Sequence, residues 1–377
     1  MRASPLRSAA GRSAQRLPFS CGRPMSPAVI TAVTAWVPDT MTLSRWTAME
    51  PALRATGHSG WDAWVKSWHP DYGHWIEASP HGETGGSLPV PPGLLPLDLA
   101  CEIPVETRTD LSGLAAKVAN GICSVRPHRV RPIDVVMFCH SIPDEHVSTT
   151  VAGRLCAEVG PPCFAFSVSQ QHGASPFTAL RLASDLLDAE PDVHTILIVA
   201  AEKWYPPFSR ICGPGIVHGD AAGALLVERA DRRTDGLYLL DAAVRHVPQE
   251  VGRCTEVVPE AWTFSLLSII DFLLARHALR CDEIDEIVGQ PGMTSLAAAV
   301  SEHFGQPNAR AQHEVGIHLG AADSIVRLAQ TLNRTASLRA RRTLLWGYGI
   351  GGFVGSALLG ANGVPSFCQH DEVRPAS

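Results

Sequence analysis

The chain has 377 residues, 45% of them hydrophobic and 18% charged, with a formal net charge of −6. That length allows two or three structural units and a large core, and the composition excludes wholesale disorder. The charge is uneven: residues 1–24 hold five arginines and no acid, so the rest carries 26 basic against 37 acidic groups, a formal −11, the wrong sign for a general nucleic-acid binder.

Residues 1–24 are rich in Arg and Ser and lack the apolar run of a secretory signal. They read as a disordered leader or upstream extension, with Met25 opening the folded pattern. "AVITAVTAWVP" (28–38) predicts a first strand. Residues 42–100 show no periodicity and read as irregular, with Trp46, Trp61, Trp64, Trp68 and Trp75 among them. Helical spacing covers 111–124. A buried strand (133–141), a helix ending at Gly160 (148–160) and an alternating strand (163–170) follow. Next come a long buried helix (175–190) and strands at 194–203 and 219–229. A second series then begins: a strand (235–247), a helix (261–279), a short strand (284–290) and helices at 294–305 and 323–335. Residues 343–369 carry no charge. They are too dense in glycine for a membrane-spanning helix, and "WGYGIGGFVGSALLG" predicts two buried strands around a glycine turn.

Strands alternating with helices argue for α/β layers on a mostly parallel sheet. The similar rhythm of 25–231 and 232–377 predicts two halves of one duplicated architecture. The ten cysteines form no CxxC pair and no zinc spacing. Several sit in apolar runs, where a thiol behaves as a small hydrophobe. The chain therefore reads as reduced and cytoplasmic, without metal.

Four segments occur in a telling order. They are "PIDVVMFCHSIPDEHVSTTVAGRLCAEVGPPCFAFSVSQQHGASPFTALRLASDLL", "GIVHGDAAGALLVE", "CDEIDEIVGQPGM" and "TLLWGYGIGGFVGSALL". Together they resemble the thiolase superfamily, and within it the β-ketoacyl-acyl carrier protein synthase III branch. The resemblance spans roughly 110–360. It implies a duplicated five-layer αβαβα fold and a dimer pairing through "CFAFSVS". It also implies a substrate that is an acyl thioester of CoA or of a carrier protein, with no resident cofactor. The family's chemistry rests on Cys, His and Asn. The Cys sits at a strand-to-helix turn, where helix amides favour a thiolate.

This sequence departs at all three positions. The family's Ala-Phe-x-Val-x-x-x-Cys falls on Ala165, Phe166, Val168 and then His172. Its Pro-His-Gln-Ala-Asn falls on 289–293, with Gln290 in place of the His. Its Gly-Asn-x-x-Ala region falls on "GIHLGAADSIV", with His318 or Leu319 at the Asn position and Asp323 five residues beyond His318. Members that pass acyl groups to oxygen or nitrogen resemble this HxGxxD version. A neutral His172 can act as a base or an N–H donor. Gln290 can donate to an oxyanion, and His318 with Asp323 can form an oriented base. Each also has a plainer reading: His172 as filler of a lost cysteine site, Gln290 as structural and Asp323 as a helix cap.

His218 reads as a buried structural histidine or a pocket residue, and Asp220 as a bracket for its turn. Ser169 and Ser175 are minor hydroxyl candidates, and Cys163 lies too far from the turn to replace the nucleophile. Arg126, Arg129 and Arg131 form a local basic patch suited to a carrier protein. Two functions remain open, beside a third, a thioester-binding or decarboxylating protein. One is an atypical acyltransferase of specialised, polyketide-like metabolism, acting with acyl-CoA or acyl carrier protein as a homodimer. The other is a non-catalytic subunit in a heterodimer with a Cys-containing ketosynthase.

Overall fold

The computed structural model describes residues 28–56, 99–126, 132–144, 150–160, 164–206, 208, 210–212, 216–229, 234–247, 260–290, 294–305, 316–334, 341–349 and 351–369. The 1–24 leader and four of the five tryptophans between 46 and 75 lie outside these residues. The strands are β1 (Ala28–Trp36), β2 (Thr40–Thr42), β3 (Glu102–Pro104), β4 (Val135–Cys139), β5 (Phe164–Val168), β6 (Thr195–Glu202), β7 (Ile211–Cys212) and β8 (Ile216–His218). They continue with β9 (Ala221–Arg229), β10 (Gly236–His246), β11 (Glu286–Val288), β12 (Gly316–His318), β13 (Arg342–Gly349), β14 (Phe353–Asn362) and β15 (Ser366–Gln369). The helices are α1 (Leu43–Thr56), α2 (Leu111–Val125), α3 (Val151–Val159), α4 (Ser175–Ala189), α5 (Glu260–Arg276), α6 (Thr294–His303) and α7 (Asp323–Arg334).

A ten-stranded sheet runs β11-β13-β14-β10-β1-β9-β6-β4-β5, with β15 alongside β1. It folds back on itself at the β1–β10 junction, where only Ala28–Ile30 pair with Leu237–Leu239. Each side therefore packs as its own layer. The central core lies between the two layers. Phe177, Leu180 and Leu187 of α4 and Ile325, Val326 and Leu332 of α7 meet Ile198 and Leu225 on one side and Leu237 and Leu359 on the other. Helices α2 and α3 cover the outer face of the first layer, and α5 and α6 cover that of the second. The result is the αβαβα stack. Near-continuous apolar runs such as Thr195–Glu202, buried at every position, form strands because both faces are covered.

The sheet is mixed, which corrects the expectation of a mostly parallel one. β4 pairs parallel with β5 and β6, but β6–β9, β1–β9, β1–β10, β10–β14 and β13–β14 are antiparallel. The hairpin at the glycine turn and the insertion of β1 between the two layers dictate this. Helix α1 corrects the irregular reading of 42–56. It contains Pro51, which blurs the periodicity, yet Leu43 and Trp46 are buried in a small cluster with Ile103 and Val217. Cys156 is disulfide-bonded, against the all-thiol expectation, while Cys101, Cys123, Cys139, Cys281 and Cys368 keep their thiols. No described helix is long and apolar enough to cross a membrane.

Phe177 ties α4 to the second layer. Its ring lies where a side chain at Gly355 or Gly347 would go. Phe177→Ala should cost about 3–5 kcal/mol, read as a lowered urea midpoint with an unchanged m-value. A loss below about 1 kcal/mol would mean that α4 does not bind the layers together.

Candidate active site

The site forms where strand ends converge, the usual place for a ligand in α/β sheets. After β5 the chain turns sharply into α4. Gln170 (φ 67°) and His172 (φ 46°) both occupy the left-handed region, costing about 1–2 kcal/mol each. Strain of this kind persists where surrounding contacts enforce it, often at functional sites. His172–Ala174 make a single 3-10 turn, and Ala174 N donates to the Gln171 carbonyl at 2.9 Å. The turn packs directly on β13: a Cβ at Gly173 would overlap the Gln290 amide and the Tyr348 carbonyl. His172 is thus buried, 3% exposed.

Two further histidines are set side by side by strand pairing. β8 and β12 run parallel with His218 opposite His318, and both are fully buried. The imidazoles meet edge to face at 5.3 Å. His318 Nδ1 accepts the Gly320 N–H at 2.8 Å. The neutral ring therefore carries its proton on Nε2, shared with the Tyr348 carbonyl. Gln290, at the end of β11, accepts the Tyr348 N–H on Oε1. Its Nε2 lies 3.5 Å from His318 Nε2. Two N–H donors therefore face one another, each with its acceptor turned away.

Asp323 opens α7 but does not hold the imidazole nitrogen that Gly320 occupies. Its carboxylate accepts from Leu319 N at 3.0 Å and pairs with Arg327 Nε at 3.3 Å. It fixes the turn that carries His318 and acts on the ring by charge alone.

Burial governs the protonation states. Desolvation, aided by His318, pushes His172 down to about 3. Desolvation holds His218 well below the usual histidine range. It also lowers His318, against the opposing pull of Asp323. All three imidazoles are neutral at physiological pH. Glu202, at the end of β6, is raised to about 7 by burial. It accepts from Ile142 N and Ala321 N, each at 3.2 Å, and so braces the turn after His318.

Beneath the histidines lies a buried ion pair. Arg210 Nη1 and Nη2 donate to Asp220 Oδ1 and Oδ2 at 2.8 and 2.7 Å. Arg210 also donates to the Trp204 and His218 carbonyls, and Asp220 accepts from the Trp204 and Glu106 amides. Asp220 is thus a bracket for its turn. Trp204 stacks on His218 at 3.7 Å, and Tyr348 meets His318 edge-on at 5.1 Å.

The structure brings His172, Gln290, His218 and His318 together around Trp204 and Tyr348. Sequence reasoning missed Trp204, Glu202 and Tyr348. The available signal was their position: Glu202 ends β6, Trp204 lies two residues beyond it, and Tyr348 is the penultimate residue of glycine-rich β13. Ser175 is fully buried at the start of α4. Cys163, Arg129 and Arg131 lie outside the described residues, and Arg126 is bound to Glu228 at 2.7 Å. Among the described residues no cluster of His, Cys, Asp and Glu is placed to hold a metal.

No family model matches the sequence, and no curated protein matches it. Solved structures do. ChlB3, an acyltransferase, superposes with a TM-score of 0.65 at 20% identity, covering 90% of this chain and 99% of that one. The 3-oxoacyl-(acyl carrier protein) synthase III of Pseudomonas aeruginosa gives 0.61 at 19%, covering 90% and 99%. Cerulenin-bound OleA from Xanthomonas gives 0.60 at 13%, covering 89% and 97%. At these identities the likeness establishes the fold alone, a thiolase-like αβαβα architecture.

The buried groups fix how stability responds to acid. The three histidines have depressed folded pKa values, so below pH 6.5 the unfolded chain takes up protons that the native chain refuses. Glu202 works the other way: raised to about 7, it favours the native state as pH falls from about 7 to 4.5. Three groups outweigh one. The urea midpoint should fall between pH 6.0 and 5.0, and more steeply in Glu202→Gln. A flat or rising midpoint would contradict these protonation states.

Proposed function

We propose that this chain, built on the synthase III fold, is an acyltransferase. It would move an acyl group from a CoA or carrier-protein thioester to an oxygen or nitrogen acceptor in specialised metabolism, without first capturing the acyl group itself. The observation that carries this reading is the facing pair of buried donors, His318 Nε2 and Gln290 Nε2, 3.5 Å apart. An oxyanion placed beside them would accept the Gln290 N–H and take the His318 N–H over from the Tyr348 carbonyl, among side chains that are fully buried. ChlB3, a structure of this fold, is an acyltransferase, and the HxGxxD pattern supports transfer to oxygen or nitrogen.

The chemistry follows from neutral groups. The acceptor X–H attacks the thioester carbonyl, the C–X bond forms, and the carbonyl oxygen becomes an oxyanion held by His318 and Gln290. His172, neutral and weakly basic, takes the proton from X. The oxyanion collapses, the C–S bond breaks, and the proton passes from His172 to the departing thiolate. Asp323 and Glu202 position the His318 turn. A thiolate at residue 172 is not needed, because no acyl-enzyme forms. The acidic body, −11 beyond residue 24, favours a CoA donor over an acidic carrier protein.

β5 is an edge strand whose Phe164 is 67% exposed. A homodimer pairing through this edge accounts for it. The missing cysteine supports a second reading, a non-catalytic subunit paired with a Cys-containing homologue. Co-purification as an obligate heterodimer would favour that reading.

Assayed against a panel of acyl-CoAs and acyl carrier proteins, the wild type should transfer acyl groups. His318→Ala and Gln290→Leu should each lower kcat about 100-fold or more, with KM little changed. Full activity after His318→Ala, or no transfer from any thioester, would contradict the proposal.

A further inference from the structure

We infer that Trp204 is a fixed wall of the acyl-binding space and restricts the site to the smallest acyl groups, of acetyl or propionyl size. The inference rests on reading the site as an acyl-thioester site. Trp204 is 1% exposed. Its indole lies parallel to two site imidazoles, 3.7 Å from His218 at 10° and 6.4 Å from His172 at 12°. A bulky ring therefore occupies the space that an acyl chain entering between these histidines would need.

The wall is built, not incidental. The Trp204 N–H donates to Asp220 Oδ1 at 2.8 Å, and its carbonyl accepts from Arg210 Nη2 at 2.6 Å. Arg210 and Asp220 form an ion pair whose side chains are 1% and 0% exposed. The guanidinium lies 4.1 Å above the Trp46 ring, which anchors it from a third side. The main chain at Trp204 is thus pinned at both its polar groups, and the indole is packed face-on, so the wall does not retreat for a longer chain. The indole Nε1–H is buried and has no hydrogen-bond partner among the described residues. Buried donors are rarely left so, and an acceptor oxygen on a small ligand would satisfy this one.

Unreactive thioether analogues of acetyl-, butyryl- and octanoyl-CoA separate the possibilities, titrated calorimetrically into wild type, Trp204→Ala, Trp204→Leu and Trp204→Phe. An open apolar pocket would tighten binding about fourfold per added methylene. The wild type should instead bind the acetyl analogue about tenfold or more tightly than the octanoyl one. Trp204→Ala, or Trp204→Leu where the alanine variant fails to fold, should gain about tenfold or more for the octanoyl analogue. Trp204→Phe should keep the short-chain order. Equal binding of all lengths by wild type, no octanoyl gain in a folded variant, or no binding of any analogue would overturn the inference. A wild type that binds only the short analogue yet transfers no acyl group would uphold the wall and sink the acyltransferase reading. Transfer of octanoyl as fast as acetyl would do the reverse.

Discussion

The buried Arg210–Asp220 pair is the constraint on which the site depends. Two charges removed from water cost several kcal/mol, and their mutual attraction offsets that cost only with good geometry and further hydrogen bonds. Here both conditions hold. The pair is bidentate, and it also holds the Trp204 main chain, the His218 carbonyl and the Glu106 amide. Through Trp204 it sets the face against which His218 stacks. Through β8, paired with β12, it sets the place of His318. Removing either charge would leave the other stranded and release all of these groups together.

Around that strut the site has been made electrically neutral. A synthase of this fold that used a thiolate would need its positive helix end to stabilise the charge. This chain places an imidazole there instead, and burial keeps the imidazole uncharged. The tautomer of His318 is set by a backbone amide, not by a carboxylate. Gln290, tied to the Tyr348 amide, can only present its N–H groups. The site therefore offers preorganised donors and a weak base, a set suited to stabilising an oxyanion during direct transfer.

Much of the fold was legible in the sequence, for a physical reason. Runs buried on both faces, such as 195–202, and the amphipathic helix at 175–189 with its buried stripe leave strong signals. The weak spots were elements with little periodicity. α1 contains a proline, and β8 and β12 have three residues each, too few to show a period. Strand direction was not legible, because burial pattern does not encode it. At the site, His172, Gln290 and His318 were visible through their places in the quoted motifs. Trp204 and Glu202 were marked only by their place at a strand end, since their importance comes from partners far along the chain, such as Asp220 and Ala321.

In the proposed reaction acyl groups pass through this site without becoming attached to it. Intact-mass measurement during turnover with an acyl-CoA tests it most directly, with a His172→Cys variant alongside. The wild-type mass should stay unmodified while product accumulates, and His172→Cys should gain one acyl group. An acyl adduct on the wild-type chain that forms and decays at the rate of turnover would contradict it.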